Sequence, residues 1–297
     1  MLNLETDTTI SLIKEGLGMG FDIWVTYPNN LTLENNIVSS NAYKIIDVTL
    51  KHESEREISI NNFDFFFIRQ DPPFDMNYLT NCYLLEIHKK FNLKPFFVND
   101  PNGIKNFTEK IFPLYFRKLM PDTIITSNLN SFEKMVNKHQ TVVVKPLYHK
   151  GGEGIEKFSK NSNDSINKFL GMLEKFRTPL VVQKFLNKVS FGDKRVLLLD
   201  GTPFGVVNRI PKLGEFKANL HLGGSAVKTS LTKNEKRICR DIESFLKVNK
   251  LFFVGIDLID ENLTEINVTS PTGITQISEL YDRNLGKEFW EILLKKI

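Results

Sequence analysis

Two carboxylates and an amide near the C-terminus have the spacing of a metal site on a β-hairpin. Apolar runs at residues 251–259 and 263–269 flank a short polar stretch, which predicts two strands joined by a three-residue loop. This pairing places Asp257 opposite Glu265, with Asn267 two residues along on the same face. Opposed carboxylates repel each other unless a cation lies between them, and such oxygen ligands suit Mg²⁺. The pattern predicts a magnesium site; a register slip that exposes one carboxylate is the alternative.

A glycine-rich loop follows a predicted strand and is a candidate phosphate-binding loop. Gly151, Gly152 and Gly154 allow the backbone to approach an anion and to present N–H groups to it. Lys145 ends the preceding predicted strand, residues 141–145, from where it could reach the same phosphate. The glycine spacing matches neither the P-loop nor the dinucleotide fingerprint, so an ordinary hairpin turn explains the loop alone equally well.

Two arginines lie near the open ends of a second predicted hairpin, residues 194–199 and 203–210, joined by an Asp-Gly turn. Arg195 and Arg209 could therefore approach each other and bind a phosphate or carboxylate through their planar guanidinium groups. An ion pair of one of them with Asp193 is the alternative.

The segment after this hairpin, residues 210–225, is charged and bounded by glycines. It suits either a mobile lid over an active site or a disordered surface loop. His221 lies in this segment and His149 lies in the glycine loop; we interpret both as polar loop residues rather than catalytic bases.

The first hundred residues are predicted to form a βαβ unit after an initial helix. The predicted elements are a helix over 8–17, a buried strand over 63–68, a helix over 77–91 and a strand over 96–99. Ligands bind where the strands of such a unit end. Arg69 and Asp71, directly after the buried strand, are therefore candidate substrate-binding residues; a turn with a surface ion pair is the alternative.

The second half of the chain reads as hairpins interspersed with helices, and we place the domain boundary near residue 105. One further strand is predicted over 180–183, and helices are predicted over 107–116 (containing Lys110), 164–176, 232–248 and 284–296.

Composition narrows the class of protein. The 297 residues are 41% hydrophobic and 25% charged, which is typical of a globular chain of two domains. The basic residues are dispersed along the chain, which argues against a nucleic-acid-binding arm. The lack of a long apolar run argues against a membrane helix, and the polar start argues against a signal peptide. Cys82 and Cys239 have no metal-binding spacing and are expected to be buried thiols of a reducing, cytoplasmic compartment.

Several segments, in order along the chain, resemble those of bacterial glutathione synthetases, which are ATP-grasp ligases. The matching segments are 69–75 (RQDPPFD), 99–101 (NDP), 106–112 (NFTEKIF), 145–147 (KPL) with 151–152 (GG), 192–196 (GDKRV), 208–211 (NRIP), 253–257 (FVGID) and 263–272 (LTEINVTSPT). The last of these is long and specific.

The resemblance implies a mixed α/β fold. Residues 1–105 would form a parallel-sheet α/β substrate domain, and residues 106–297 a two-lobed ATP-grasp domain with its small lobe at about 122–184. The family has a strand before the first helix, whereas Met1 stands almost at that helix. The expectation is therefore a truncated chain, a start that was assigned too late, or an N-terminal sheet that lacks its first strand.

The resemblance also implies roles for individual residues. Those expected to contact ATP are Lys110, Lys145, Gly151, Gly152, the hinge residues Gln183, Lys184, Phe185 and Leu186, then Asp193 and Asn267. Those expected to hold two Mg²⁺ ions, with Mn²⁺ as an alternative, are Asp257, Glu265 and Asn267. Those expected to assist catalysis are Arg195, Arg209 and Lys145. Those expected to contact substrate are Arg69, Asp71, Asn219, Ser270, Pro271 and Thr272.

The implied reaction joins γ-glutamylcysteine and glycine with ATP through an acyl phosphate, in a cytoplasmic homo-oligomer (dimer or tetramer) with no nucleic-acid or membrane partner. The chain departs from the family pattern at residues 148–150, where Lys150 adds a charge that could help to hold phosphate. Ser225, Thr275 and Gln70 stand where the family usually has basic residues. A ligase for a different acid and amine, or a non-catalytic nucleotide-binding relative, are therefore the alternatives.

Overall fold

The computed structural model describes residues 6–160, 164–218 and 223–297. In the N-terminal region the elements are α1 (Thr8–Gly18), β1 (Trp24–Glu34), β2 (Ile37–Lys44), β3 (Arg56–Ser59), β4 (Phe65–Phe67), α2 (Met76–Phe91), β5 (Phe96–Val98) and α3 (Pro101–Asn106). Strands β1, β2 and β3 form an antiparallel sheet, and β4 pairs with β5 in parallel.

The βαβ unit is confirmed as β4–α2–β5. Phe65 is paired with Phe96 in parallel register, and α2 begins at an N-cap in which Asp75 accepts the Tyr78 N–H at 2.9 Å. The buried face of α2, with Tyr78, Cys82 and Leu85, packs against Phe97 of β5. The unit therefore places residues 69–75 between the end of β4 and the start of α2.

A second unit, here called the small lobe, is a four-stranded antiparallel sheet with two helices. Its elements are β6 (Thr123–Thr126), α4 (Leu129–His139), β7 (Thr141–Pro146), β8 (Glu156–Ser159), α5 (Ser165–Phe176) and β9 (Leu180–Lys184), with strand order β6-β9-β7-β8. Phe132 and Phe169 stack at 4.2 Å between ring centroids and join the two helices. Both helices are amphipathic and bury their apolar faces against this sheet.

The third unit, here called the large lobe, is a five-stranded antiparallel sheet with helices on both faces. Its elements are β10 (Asp193–Leu199), β11 (Thr202–Ile210), β12 (Ser225–Val227), α6 (Lys233–Val248), β13 (Phe253–Ile259), β14 (Asn262–Asn267), α7 (Ile274–Tyr281) and α8 (Leu285–Leu293). The strand order is β12-β11-β10-β13-β14. Helix α6 packs on one face, whereas α7, α8 and the N-terminal α1 share a core on the other.

The helix predicted over residues 107–116 is wrong. The chain turns at residues 107–111 and then forms short 3₁₀ turns over Phe112–Leu119. Pro113 explains the difference, because it lacks an N–H and its ring would clash with the carbonyl four residues earlier in a continuous helix. Lys110 therefore lies in a turn rather than on a helix.

Both cysteines are buried free thiols, as predicted, each about 1% exposed. Among the described residues, no helix is long and apolar enough to cross a membrane.

Candidate active site

The predicted pairing of Asp257 with Glu265 is confirmed, although the connection differs from the prediction. Asp260 and Glu261 both have positive φ, 49° and 58°, and form a two-residue turn that pairs Ile259 with Asn262. A bulge between Asp257 and Leu258 then restores the register. The shorter turn and the bulge offset each other, so the two carboxylates still lie opposite one another.

Both predicted arginines contact the same carboxylate. Arg195 lies opposite Asp257 across β10 and β13, and its Nε and Nη2 donate to the two oxygens at 2.5 and 2.9 Å. Nη2 of Arg209 lies 3.0 Å from Asp257 Oδ1 and 2.6 Å from Asp193 Oδ2. The expected approach of the two arginines is confirmed, and so is the alternative pairing with Asp193.

The charges of this cluster determine its ionisation. Burial would raise the pKa of Asp257, but Arg195 and Arg209 outweigh it and hold that pKa well below its usual range. Burial raises the pKa of Asp193 to about 6, against the opposing effect of Arg209. Oδ1 of Asp193 is buried without a hydrogen-bond partner among the described residues, so the cluster has a free acceptor.

Two lysines from different parts of the chain converge on the second carboxylate. Nζ of Lys110 and Nζ of Lys145 each lie 3.9 Å from Glu265 Oε1. Both lysines are buried, and burial lowers the pKa of Lys145, although Glu265 partly offsets this. Because Lys145 lies near the end of β7 of the small lobe and Glu265 lies on β14, the site is located between the two lobes.

The glycine loop leaves its backbone accessible. Gly151 and Gly152 have φ of 66° and 80°, a region that disfavours other residues, and a Cβ built on Gly151 would meet no atom within 4 Å. Lys110 Nζ donates to the carbonyl of His149 at 2.6 Å and so links the loop to the lysine pair. Lys150 forms an ion pair with Asp71.

The predicted hinge consists of the last two residues of β9, Gln183 and Lys184, and the two residues that follow. Gln183 is buried, and its side chain donates to Thr123 Oγ1 at 2.9 Å. The N–H groups of Lys184 and Phe185 donate to the carbonyls of Asp122 and Thr141. Backbone recognition of an adenine ring at Lys184 and Phe185 would therefore use their carbonyls.

Two of the predicted substrate-binding segments are joined by Arg69. Its Nη1 donates to the carbonyl of Pro271 at 2.9 Å, and its Nε donates to Thr9 Oγ1 at 3.2 Å. Burial lowers the pKa of Arg69 to about 10. The neighbouring Thr272 carbonyl accepts a long hydrogen bond, 3.3 Å, from Arg195, which connects this segment to the Asp257 cluster.

A cavity of about 1220 Å³ contains Arg69, Gln70 and Asp71 in its wall. Most of the cavity surface is apolar, with Phe65, Phe67 and Trp290 among the lining residues. Ser270 is partly buried. The predicted substrate residue Asn219 and His221 lie outside the described residues.

The three positions that lack a basic residue lie in different parts of the fold: Gln70 after β4, Ser225 on β12 and Thr275 on α7. Gln70 accepts a hydrogen bond from Asn81 at 3.0 Å, and Ser225 is exposed on the edge strand β12. Oγ1 of Thr275 is buried without a partner among the described residues.

Glu109 is a site residue that the sequence reasoning missed. Its carboxylate accepts a hydrogen bond from Thr269 Oγ1 at 2.6 Å, and its carbonyl accepts the Ile266 N–H at 3.2 Å. Burial raises its pKa, and the adjacent Lys110 partly offsets this. A lone glutamate in a predicted helix usually faces solvent, so the sequence gives little reason to select Glu109. Its position next to Lys110 is the one signal that could have identified it.

The donor set at the hairpin fits a hard cation. Within the described ranges no group of three or more His, Cys, Asp or Glu side chains is arranged around a common point. The predicted set needs two carboxylates, Asp257 and Glu265, and the amide oxygen of Asn267, whose Nδ2 lies 3.4 Å from Asp257 Oδ2. Asp257 is shared with two arginines here, so a cation would compete with them for its oxygens.

Comparisons with known proteins agree with this architecture. The model of the prokaryotic glutathione synthetase N-terminal domain matches residues 1–105, and that of its ATP-grasp domain matches residues 109–282. The glutathione synthetase of Brucella melitensis is 36% identical over 297 residues, which cover 98% of this chain and 94% of the relative. That of Agrobacterium fabrum is 34% identical, with 99% and 93% covered.

Among solved structures, a RiPP-associated ATP-grasp ligase of Chryseobacterium gregarium has a TM-score of 0.60 at 14% identity, with 98% of this chain and 96% of that chain covered. This likeness supports the fold alone. The two family models together span most of the sequence, and the relatives align over nearly their whole length. The chain therefore belongs to the prokaryotic glutathione synthetase family.

Proposed function

We propose that this chain is an ATP-dependent ligase that joins γ-glutamylcysteine to glycine, releasing ADP and phosphate. The observation that carries the proposal is the buried charge cluster between the lobes. Lys110, Lys145, Arg195 and Arg209 are balanced there by carboxylates on neighbouring strands. A triphosphate that arrives with divalent cations adds little net charge to such a balanced site, whereas the bare anion would not be matched.

The reaction needs charge to be neutralised at each step. A carboxylate oxygen of the acid attacks the γ-phosphorus of ATP, and the bond from that phosphorus to the ADP oxygen breaks. The amine of glycine then attacks the acyl carbon, phosphate leaves, and the amine loses a proton. We infer that Lys110, Lys145 and the N–H groups of Gly151 and Gly152 bind the phosphates, and that Arg195 and Arg209 stabilise the transferring phosphoryl group.

We infer that Asp257, Glu265 and Asn267 hold the metal. The family resemblance implies two Mg²⁺ ions, with Mn²⁺ as an alternative. The metal supplies charge neutralisation on the nucleotide phosphates. Asp257 would then share its oxygens between the metal and the two arginines, so that both sets of residues would have a role in one site.

We assign the remaining predicted residues accordingly. Gln183, Lys184, Phe185 and Leu186 would border the adenine, Asp193 would bind the ribose, and Arg69, Asp71, Asn219, Ser270, Pro271 and Thr272 would bind the acid. Residues 1–105 would act as the substrate domain, residues 106–297 as the ATP-grasp domain with its small lobe at about 122–184, and the working form would be a cytoplasmic homo-oligomer.

A ligase for a different acid and amine is the second candidate. It is favoured by the neutral side chains at Gln70, Ser225 and Thr275, and by the unpartnered buried hydroxyl of Thr275. Fewer positive charges around the acid site weaken the selection for a peptide with several carboxylates.

The deciding experiment measures phosphate release from Mg-ATP with γ-glutamylcysteine alone, glycine alone and both together, with mass spectrometry of the product. The proposal predicts release that needs both substrates and forms glutathione. Tight ATP binding without release in any combination would support the second candidate, and a panel of other acids and amines would then be tested.

The variant Asp257→Asn tests the role of the cluster. Turnover should fall by about a hundredfold or more, because the change removes a metal ligand and the shared partner of two buried arginines. The matched control is Asp260→Asn on the same hairpin, whose exposed carboxylate pairs with Lys188. Circular dichroism must show both variants folded; near-normal turnover of folded Asp257→Asn would contradict the assignment.

A further inference from the structure

Two residues at the start of the glycine loop, Tyr148 and Lys150, contact the N-terminal domain. Lys150 forms its ion pair with Asp71, which lies two residues after Arg69. The Tyr148 carbonyl accepts the Phe74 N–H at 3.3 Å, and the two rings stack with their centroids 6.4 Å apart and their planes 23° apart. The loop proposed to bind phosphate is thus attached to the segment proposed to bind the acid.

The other side of the loop faces the nucleotide residues. The His149 carbonyl accepts from Lys110, and the His149 ring packs edge-on against Phe176 of α5 at 4.8 Å. A Cβ on Gly154 would lie 2.5 Å from the Phe176 ring, so the loop end is closely packed on its own lobe. Between these contacts, the backbone of Gly151 and Gly152 stands next to the attachment at Lys150.

We propose that Tyr148 and Lys150 are positioning residues that couple the two substrate sites, so that the acid substrate and ATP each strengthen the binding of the other. The inference rests on the proposed function. An acid held at Arg69 fixes residues 71–74, and these fix Tyr148 and Lys150, which orders the N–H groups that receive the phosphates. Because coupling between two ligands is reciprocal, ATP strengthens acid binding by the same factor.

The exposure of the contact favours positioning over stability as its role. The side chains of Lys150 and Asp71 are 50% and 52% exposed. Ion pairs at such positions contribute little to the free energy of unfolding. Their energy is small enough to be gained or lost as ligands bind, and it sets the expected size of the coupling.

The test measures the Kd of a non-hydrolysable ATP analogue with Mg²⁺ by calorimetry, without and with saturating γ-glutamylcysteine. The ratio of the two values is the coupling factor, which should exceed one in the wild-type enzyme. In Lys150→Met it should fall by about two- to fivefold, the range of an exposed ion pair. Lys150→Arg, which keeps the charge, should restore the factor.

Two further variants make the test specific. Lys134→Met removes an exposed lysine from α4 of the same lobe and should leave the coupling factor unchanged. The exchange of Asp71→Lys with Lys150→Asp should recover part of the factor, because a ratio within one variant cancels any loss of acid affinity from Asp71 itself.

Two results would overturn the proposal. An unchanged coupling factor in Lys150→Met would show that the loop and the acid segment act independently. Equal weakening of analogue binding with and without the acid would show that Lys150 binds phosphate directly. Failure of the proposed function appears separately, as a wild-type enzyme that makes no glutathione.

Discussion

The N-terminal domain is attached to the two lobes by contacts of opposite character. Against the large lobe, the buried Asn99 side chain donates to the carbonyls of Phe253 and Val268 and accepts the Phe253 N–H, all at 2.6–2.7 Å. The Trp290 indole N–H donates to the Leu12 carbonyl at 2.9 Å in the same buried interface.

Against the small lobe, the described contacts are the exposed pair of Asp71 with Lys150 and the contact of Phe74 with Tyr148. Buried hydrogen bonds are expensive to leave unmade, whereas exposed ion pairs are nearly neutral. The difference indicates that the N-terminal domain is fixed firmly to the large lobe, and that its contact with the small lobe and the glycine loop can be lost at little cost.

The largest expected effect is at Asn99. The variant Asn99→Ala leaves three buried backbone groups without partners, so the free energy of unfolding should fall by about 3 kcal/mol. Urea unfolding followed by tryptophan fluorescence measures this, because the chain has two tryptophans, Trp24 on β1 and Trp290 on α8.

Single-tryptophan versions, Trp24→Phe and Trp290→Phe, sharpen this prediction. In the parent chain both probes should report one transition, whereas Asn99→Ala should separate them. A loss below about 0.5 kcal/mol would mean that the interface is not what holds the N-terminal domain.

A smaller effect is expected from His88 on α2. Its Nδ1 accepts the Val38 N–H at 3.0 Å and its Nε2–H donates to the Lys94 carbonyl at 2.8 Å, so the neutral ring is required. Burial lowers the pKa of His88 from 6.5, against the opposing effect of the Lys94 hydrogen bond. A lowered pKa in the folded state gives stability that is present above the unfolded-state value and is lost as the pH falls.

The free energy of unfolding should therefore decrease as the pH drops below about 6.5, and His88→Gln should flatten that part of the profile. Urea titrations at pH 7.5 and 5.5 provide the comparison. If the N-terminal domain and the large lobe are one unit, the Trp290 transition should shift with that of Trp24. A shift confined to Trp24 would show that the N-terminal domain and the large lobe unfold separately.

Structural features that depend on contacts between residues close in sequence could be predicted from the sequence, whereas those that depend on distant residues could not. The pairing of Asp257 with Glu265 depends on a single hairpin, whose register follows from local turn and strand patterns. The predicted three-residue loop is a two-residue turn in the structure, but the bulge restores the predicted pairing. The helix α4 was missed despite an N-cap at Asn128 and apolar residues at helical spacing, because its apolar residues are few.

The contacts between distant segments could not be predicted. Nothing in the sequence indicates that β10 lies beside β13, which is what makes Arg195 the partner of Asp257. Lys150 and Asp71 are 79 residues apart, and their contact depends on how the small lobe sits on the N-terminal domain. Local patterns specify elements, whereas strand order and docking of units come from the summed packing of the whole chain.

The smallest expected effect is on the stability of Lys150→Met. Its ion pair is half exposed, so the free energy of unfolding should change by less than about 0.5 kcal/mol, in contrast to Asn99→Ala. Urea unfolding under the same conditions makes the two values comparable. A loss of about 2 kcal/mol would mean that the N-terminal domain is held by the small lobe nearly as firmly as by the large lobe. The contact with the small lobe could then not be lost at little cost. A near-zero value together with a reduced coupling factor would mean that the ion pair acts on substrate binding and adds almost nothing to the fold.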